Sequence, residues 1–212
     1  VLDDPNLLRE PKRLFTQATR ISGKASFDLT GISPVHGGEP TSNDQQTMYG
    51  RDFSFGHFFQ HTRTIGHIEV GNERWDFDSF GWRDHSWGPR YWTNIYFYRL
   101  LIANFGPDRA LMLLKITGRD GETRRHGVLQ IGGEYEEITD MDVITDWTAE
   151  KDPETIHLGV RTANRAAQMQ GRVITLAPLS NRRKVGDEFL KSRIAEALTE
   201  WTWDGREGIG VT

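Results

Sequence analysis

The segment Gly81-Trp82-Arg83-Asp84-His85-Ser86-Trp87-Gly88-Pro89-Arg90 sets proton-moving groups beside rings that can shelter charge. Asp84 can accept from Arg83, from Arg90 or from a histidine ring nitrogen. A carboxylate that fixes a histidine tautomer is a common support for acid–base catalysis. His85 carries the side chain type that titrates nearest neutrality. In an extended backbone Trp87, two residues on, shares its face. An indole face beside a protonated histidine is a place to generate and hold a cation. Asp84, His85 and Trp87 are therefore the catalytic candidates. The plainer reading is an Arg–Asp lock between strands, with His85 filling a turn.

The surroundings favour a ligand. Residues 75–98 hold ten of the chain's 23 aromatic residues. Asp76, Asp78, Arg83, Asp84, His85 and Arg90 lie among them. Buried charges are costly unless paired, so they either form a satisfied network or line a pocket. Trp82, Arg90, Trp92, Asn94 and Tyr96 are the candidate substrate-binding residues. Asn94 and Tyr96 fall on one face of a strand, with Ile95 and Phe97 on the other. His67 and Glu69 share a face, as do His57 and His61. His57-Phe58-Phe59-Gln60-His61 lacks the glutamate of the zinc-protease helix motif, and no three-ligand spacing is readable locally. No metal site and no cofactor are expected. There is no phosphate-binding loop, dinucleotide fingerprint, serine elbow or RNA-binding aromatic signature.

Composition narrows the classes further. The 212 residues carry a formal charge of −4, which excludes a generally basic nucleic-acid binder. Cysteine is absent, so there is no thiol nucleophile and no disulfide; this suits a reducing compartment, and a cytoplasmic location is expected. No apolar stretch reaches the length of a membrane helix, and nothing at the start reads as a signal peptide.

The elements that must position these groups have a period of two. Strands are expected at 52–60, 65–70, 74–78, 93–103, 110–117, 123–131, 135–147, 155–162 and 172–177. Gly71-Asn72 and Asp120-Gly121 supply tight turns. The short Gly-bearing connections describe an antiparallel meander rather than a parallel α/β fold. Residues 1–24 offer a short helix around Leu7, Leu8 and Leu14, broken by Pro5 and Pro11. Residues 30–43 are loop-like, and no clear first strand precedes them. Residues 187–200 fit an amphipathic helix, from Phe189, Ile194, Ala197 and Leu198, with strand from Trp201; the alternative is one long strand running on to Trp203. The basic run 182–184 reads as a solvated turn. Residues 134–154 carry nine acids against Lys151 alone, as the exposed face of a strand pair would.

The motif Asp84-His85-Ser86-Trp87-Gly88 resembles the hydroxyneurosporene synthase (carotenoid 1,2-hydratase) and AttH-like superfamily. Gly66-His67-Ile68-Glu69-Val70 and Gly205-Arg206-Glu207-Gly208-Ile209-Gly210 support the resemblance, which covers roughly residue 48 onward. It implies an all-β fold of lipocalin-like antiparallel β-barrels. Residues 1–62 would be the end of a first, partial barrel plus a linker. Residues 63–212 would be a second, largely complete barrel. An upstream barrel or a partner chain is the implied partner, together with an apolar small-molecule ligand.

The family's hydratases add water to an isolated alkene without a cofactor. Relatives act as cyclases, Diels–Alder catalysts or other hydratases. Their catalytic His and Trp map onto His85 and Trp87. Their Tyr and Asp, two apart on a following strand, have no counterpart in Leu111-Met112-Leu113-Leu114-Lys115. The expected function is cofactor-independent acid–base conversion, by hydration, cyclisation or isomerisation, of an unsaturated apolar molecule such as a terpenoid or polyketide. A non-catalytic binding barrel and a purely structural motif are the alternatives.

Overall fold

The computed structural model describes residues 2–19, 21–38 and 54–212. Residues 39–43 of the expected loop and 52–53 of the expected first aromatic strand lie outside the described residues. The chain opens with a 3-10 turn, Pro5–Arg9, and helix α1, Pro11–Gln17. Each begins at a proline, whose missing N–H costs nothing in a first turn. The strands β1 Gly23–Gly31, β2 His36–Gly38, β3 Gly56–Val70 and β4 Glu73–Trp87 follow. After a 3-10 turn at Trp92–Asn94 come β5 Ile95–Asn104, β6 Arg109–Gly118, β7 Thr123–Ile131 and β8 Glu134–Glu137. The last are β9 Asp140–Trp147, β10 Pro153–Arg161, β11 Ala166–Val185, β12 Glu188–Trp203 and β13 Arg206–Val211.

Two antiparallel sheets result. In the first, β4 runs along one edge of β3, while β1 and β2 share the other. Gly71, at φ +59°, turns β3 into β4 as its place before Asn72 requires. The second sheet has the order β8-β7-β6-β5-β13-β12-β11-β10-β9. It curls so that its edge strands, β8 and β9, are consecutive in the chain. The Ile138 N–H donates to Gly127 O and the Thr139 N–H to Arg161 O, each at 2.8 Å. Neither sheet closes by a continuous ladder. Residues 62 and 63, on either side of the expected division, are consecutive residues of β3.

The main core lies inside the curled sheet, with Leu101, Leu111, Leu113, Leu129, Ile156, Leu158 and Trp201. Residues 110–114 of β6 are all buried. Leu111 and Leu113 face this core, and Met112 faces the first sheet. A strand covered on both sides has no room for polar alternation.

The all-β antiparallel expectation holds, with local differences. Residues 23–31 form a strand, where no clear first strand was expected. Residues 135–147 split into β8 and β9 at Ile138-Thr139. Residues 93–94 belong to a 3-10 turn. Residues 187–200 are not helical: β12 pairs with β11 from Val185↔Glu188 to Met169↔Trp203. Two residues of the apparent helical stripe, Phe189 and Leu198, are exposed, and the buried set alternates as Ala197, Thr199, Trp201 and Trp203. Residues 182–184 continue β11 towards the hairpin turn at Gly186.

Candidate functional site between the two sheets

Strand alternation puts His57, Phe59 and His61 of β3 on one face of the first sheet. Cross-strand register adds Asp84 opposite Phe59, Trp82 opposite His61, and His36 opposite Phe59 on the other side. The second sheet meets them with Met112, with His126 and Val128 of β7, and with Tyr135 and Glu137 of β8. Glu137 pairs with Val128, so it is the diagonal neighbour of His126 on the same face. Phe59, Met112 and Val128 form a buried apolar knot, with Trp82 and Tyr135 packed on it. The His61 N–H donates to the Tyr135 hydroxyl at 3.0 Å and ties the sheets together.

Within this seam His57 Nε2 lies 3.2 Å from Asp84 Oδ1. The His57 side chain is 7% exposed and that of Asp84 29% exposed. Burial lowers the His61 imidazole to about 4. Asn104 opposes that shift, yet neither its Oδ1 nor the His61 ring nitrogens reach a partner at hydrogen-bond geometry. Burial also lowers the His126 imidazole; His36 and His57 add to this, and Glu137 opposes it.

A second cluster stands beside the first. His36 Nε2 lies 3.0 Å from Glu137 Oε1, and His126 Nδ1 lies 3.7 Å from Glu137 Oε2. The two imidazoles stack with centroids 5.5 Å apart. The three residues offer ligand atoms all within 4.8 Å of one another. Two imidazoles and a carboxylate are the donor set that a divalent transition metal takes.

The residues expected from sequence fall in three places. Asp84 and Trp82 join the seam. His85 and Trp87 lie on the opposite face of β4, with ring centroids 5.6 Å apart. Phe58 packs on His85 in a tilted arrangement, with ring centroids 5.2 Å apart, and carries the Arg83 guanidinium at 4.8 Å. Asp84 therefore does not orient His85, because neighbours in a strand point to opposite faces. Arg90 donates to Ser86 Oγ at 2.6 Å. Trp92 and Tyr96 line a cavity at one end of the second sheet. Asn94 sits exposed in the 3-10 turn. Asp78 pairs with Arg63, and Asp76 with Arg74, on the exposed hairpin surface. His67 Nε2 and Glu69 Oε1, expected on one face, are 3.5 Å apart.

The family described as "Domain of unknown function (DUF7064)" matches residues 10–212. The chain belongs to that family. No curated protein matches this DUF7064 chain. Its fold is similar to that of an AttH-type protein from Nitrosomonas europaea, at 16% identity and a TM-score of 0.54. That likeness covers 92% of this chain and 62% of the other. It is also similar to CghA, solved with Sch210972, at 12% identity and a TM-score of 0.61, covering 89% and 60%. The DUF7064 chain thus spans about three-fifths of the length of these two relatives. The likeness is one of fold: two antiparallel sheets in an all-β chain, resembling those two structures. No helix among the described residues is long and apolar enough to cross a membrane.

Sequence reasoning missed His36, His126 and Glu137. His36 lay in what read as loop, His126 in a strand with no marked neighbour, and Glu137 among many surface acids. Asp84, Trp82 and the shared face of His57 and His61 were the local signals for the seam.

Proposed function

We propose that this DUF7064 chain binds a small, mostly apolar molecule against the aromatic seam between its sheets and converts it by acid–base chemistry. The observation that carries this is the His57–Asp84 pair. A nearly buried imidazole within hydrogen-bond reach of a carboxylate is held in place, as a general acid or base requires. Phe59, packed at 5.7 Å from His57, and Trp82 supply apolar, π-rich surface beside it. CghA, of similar fold, holds the ligand Sch210972, which supports a small-molecule role. In this reading His57 moves the proton, Asp84 positions it, and Trp82 faces the developing cation. His85 and Trp87 offer a further aromatic platform on the other face, where no carboxylate among the described residues bonds His85. Hydration, cyclisation and isomerisation all fit this chemistry. The test is to extract the small molecule that copurifies with the protein and to follow its conversion by wild type and His57→Gln.

A second reading rests on His36, His126 and Glu137. A divalent cation held there would act as a Lewis acid beside the same seam. It would polarise a ligand oxygen and leave proton transfer to His57.

A further inference from the structure

The open end of the second sheet holds a cavity of about 420 Å³, within the usual range of small-molecule sites. Trp92 and Trp147 give it aromatic walls, and the largely exposed Tyr96 stands at its rim. Arg99 lines it as well, although only 9% exposed. Arg99 alternates with Leu101 and Ala103, which belong to the main core, so its side chain leaves β5 on the inward face. The guanidinium carbon lies 5.3 Å from the Trp147 ring centroid. Its Nη2 is buried and has no hydrogen-bond partner among the described residues. The Thr212 hydroxyl, also on the lining, is buried and without a partner too.

Among the described residues no acidic side chain pairs with Arg99. Burial lowers its affinity for the proton, and no neighbouring carboxylate opposes that. Glu196 is the one acidic side chain among the described lining residues. It alternates with buried Ala197, so it faces outward, where it accepts from the Tyr98 hydroxyl at 3.5 Å. Lys151, Lys191 and Arg193 add positive charge at the rim, with Arg193 held by Asp152. A buried cation without an anionic partner is costly, and an apolar residue would serve the fold better. A guanidinium in an aromatic cavity is matched by a carboxylate, which its planar fork binds through two hydrogen bonds.

We propose that this cavity binds an apolar molecule carrying one carboxylate, with the carboxylate on Arg99 and the apolar body along Trp92, Tyr96 and Trp147. The site shares no polar residue with the histidine seam, so it goes beyond the chemistry proposed there.

Fluorescence titration of the full chain with cis-parinaric acid and with its methyl ester tests the site. The acid is expected to saturate at one equivalent, and the ester to bind about tenfold more weakly or worse. Arg99→Met is expected to lower acid affinity about tenfold or more, leave the ester unchanged, and melt no lower than wild type without ligand. Arg99→Lys keeps the charge without the fork, and is expected to keep a reduced preference for the acid. His57→Gln is expected to bind the acid as wild type does, which separates this site from the seam. Equal affinity of wild type for acid and ester would overturn the proposal. So would no saturable binding of the acid, or a destabilised Arg99→Met that keeps the preference. The last result would make Arg99 a brace for Trp147.

Discussion

Asp84 turns away from His85, its neighbour in sequence, and meets His57 of the adjacent strand at 3.2 Å. That one bond moves the acid–base pair from a local motif to a cross-strand site. It also places the pair on the face of the first sheet that packs against the second. The proposed chemistry and the joint between the sheets therefore share residues, and each constrains the other. Phe59 and His61 fix the spacing of the seam, while His57 and Asp84 use it.

Buried His61 makes stability depend on pH. Its folded value of about 4 lies below the unfolded value of 6.5. Between those values the unfolded chain holds more protons, so stability rises with pH through this window. The contribution is complete above about pH 6.5 and is lost as pH falls towards 4, amounting to ~3 kcal/mol. Urea unfolding of wild type and His61→Leu across this range checks it. The wild type is expected to lose more stability on acidification than the variant. Parallel losses would assign the effect to other groups.

The three-donor cluster predicts metal binding with a visible signature. Co²⁺ added to the protein is expected to bind at one equivalent and give d–d absorption near the visible range. His126→Ala and Glu137→Gln are each expected to abolish it, while His67→Ala, on the exposed hairpin, leaves it intact. A flat titration with wild type would make His36, His126 and Glu137 a hydrogen-bonded seam alone.

Gly210 carries a steric prediction. A Cβ there would stand 1.7 Å from the Ile102 carbonyl oxygen, on the strand that β13 pairs with. Backbone cannot give way as a flexible side chain would. Gly210→Ala is expected to cost ~3 kcal/mol by separating β5 from β13, read as a lower urea midpoint. Gly205→Ala, where the space is open but φ is +74°, is expected to cost less, about 1 kcal/mol. A harmless Gly210→Ala would mean that the β5–β13 join relaxes easily.

Much of the sheet architecture was legible because alternation and Gly-bearing turns are local signals. β7 was read over its full observed span, and the β3–β4 turn was placed at Gly71-Asn72. β12 was not legible, because Phe189, Ile194, Ala197 and Leu198 fit a helical stripe as well as a strand. Only pairing with β11, out of reach of a local window, decides between them. The site was half legible. Asp84, Trp82 and the common face of His57 and His61 could be read from spacing. The Asp84–His57 bond could not, since it depends on β3–β4 register. The His36–His126–Glu137 cluster depends on how two sheets pack, which no sequence window contains.

The most direct test compares His57 with His85 on the molecule that copurifies with the protein. Native mass spectrometry and extraction identify that molecule, and its conversion is then followed with wild type, His57→Gln, Asp84→Asn and His85→Gln, each checked for folding by circular dichroism. His57→Gln is expected to lose about 10²–10⁴-fold in turnover, with an intermediate loss for Asp84→Asn. His85→Gln is expected to stay within a few-fold of wild type. Turnover kept by a folded His57→Gln and lost by His85→Gln would contradict the account and put the chemistry on the His85–Trp87 face of β4.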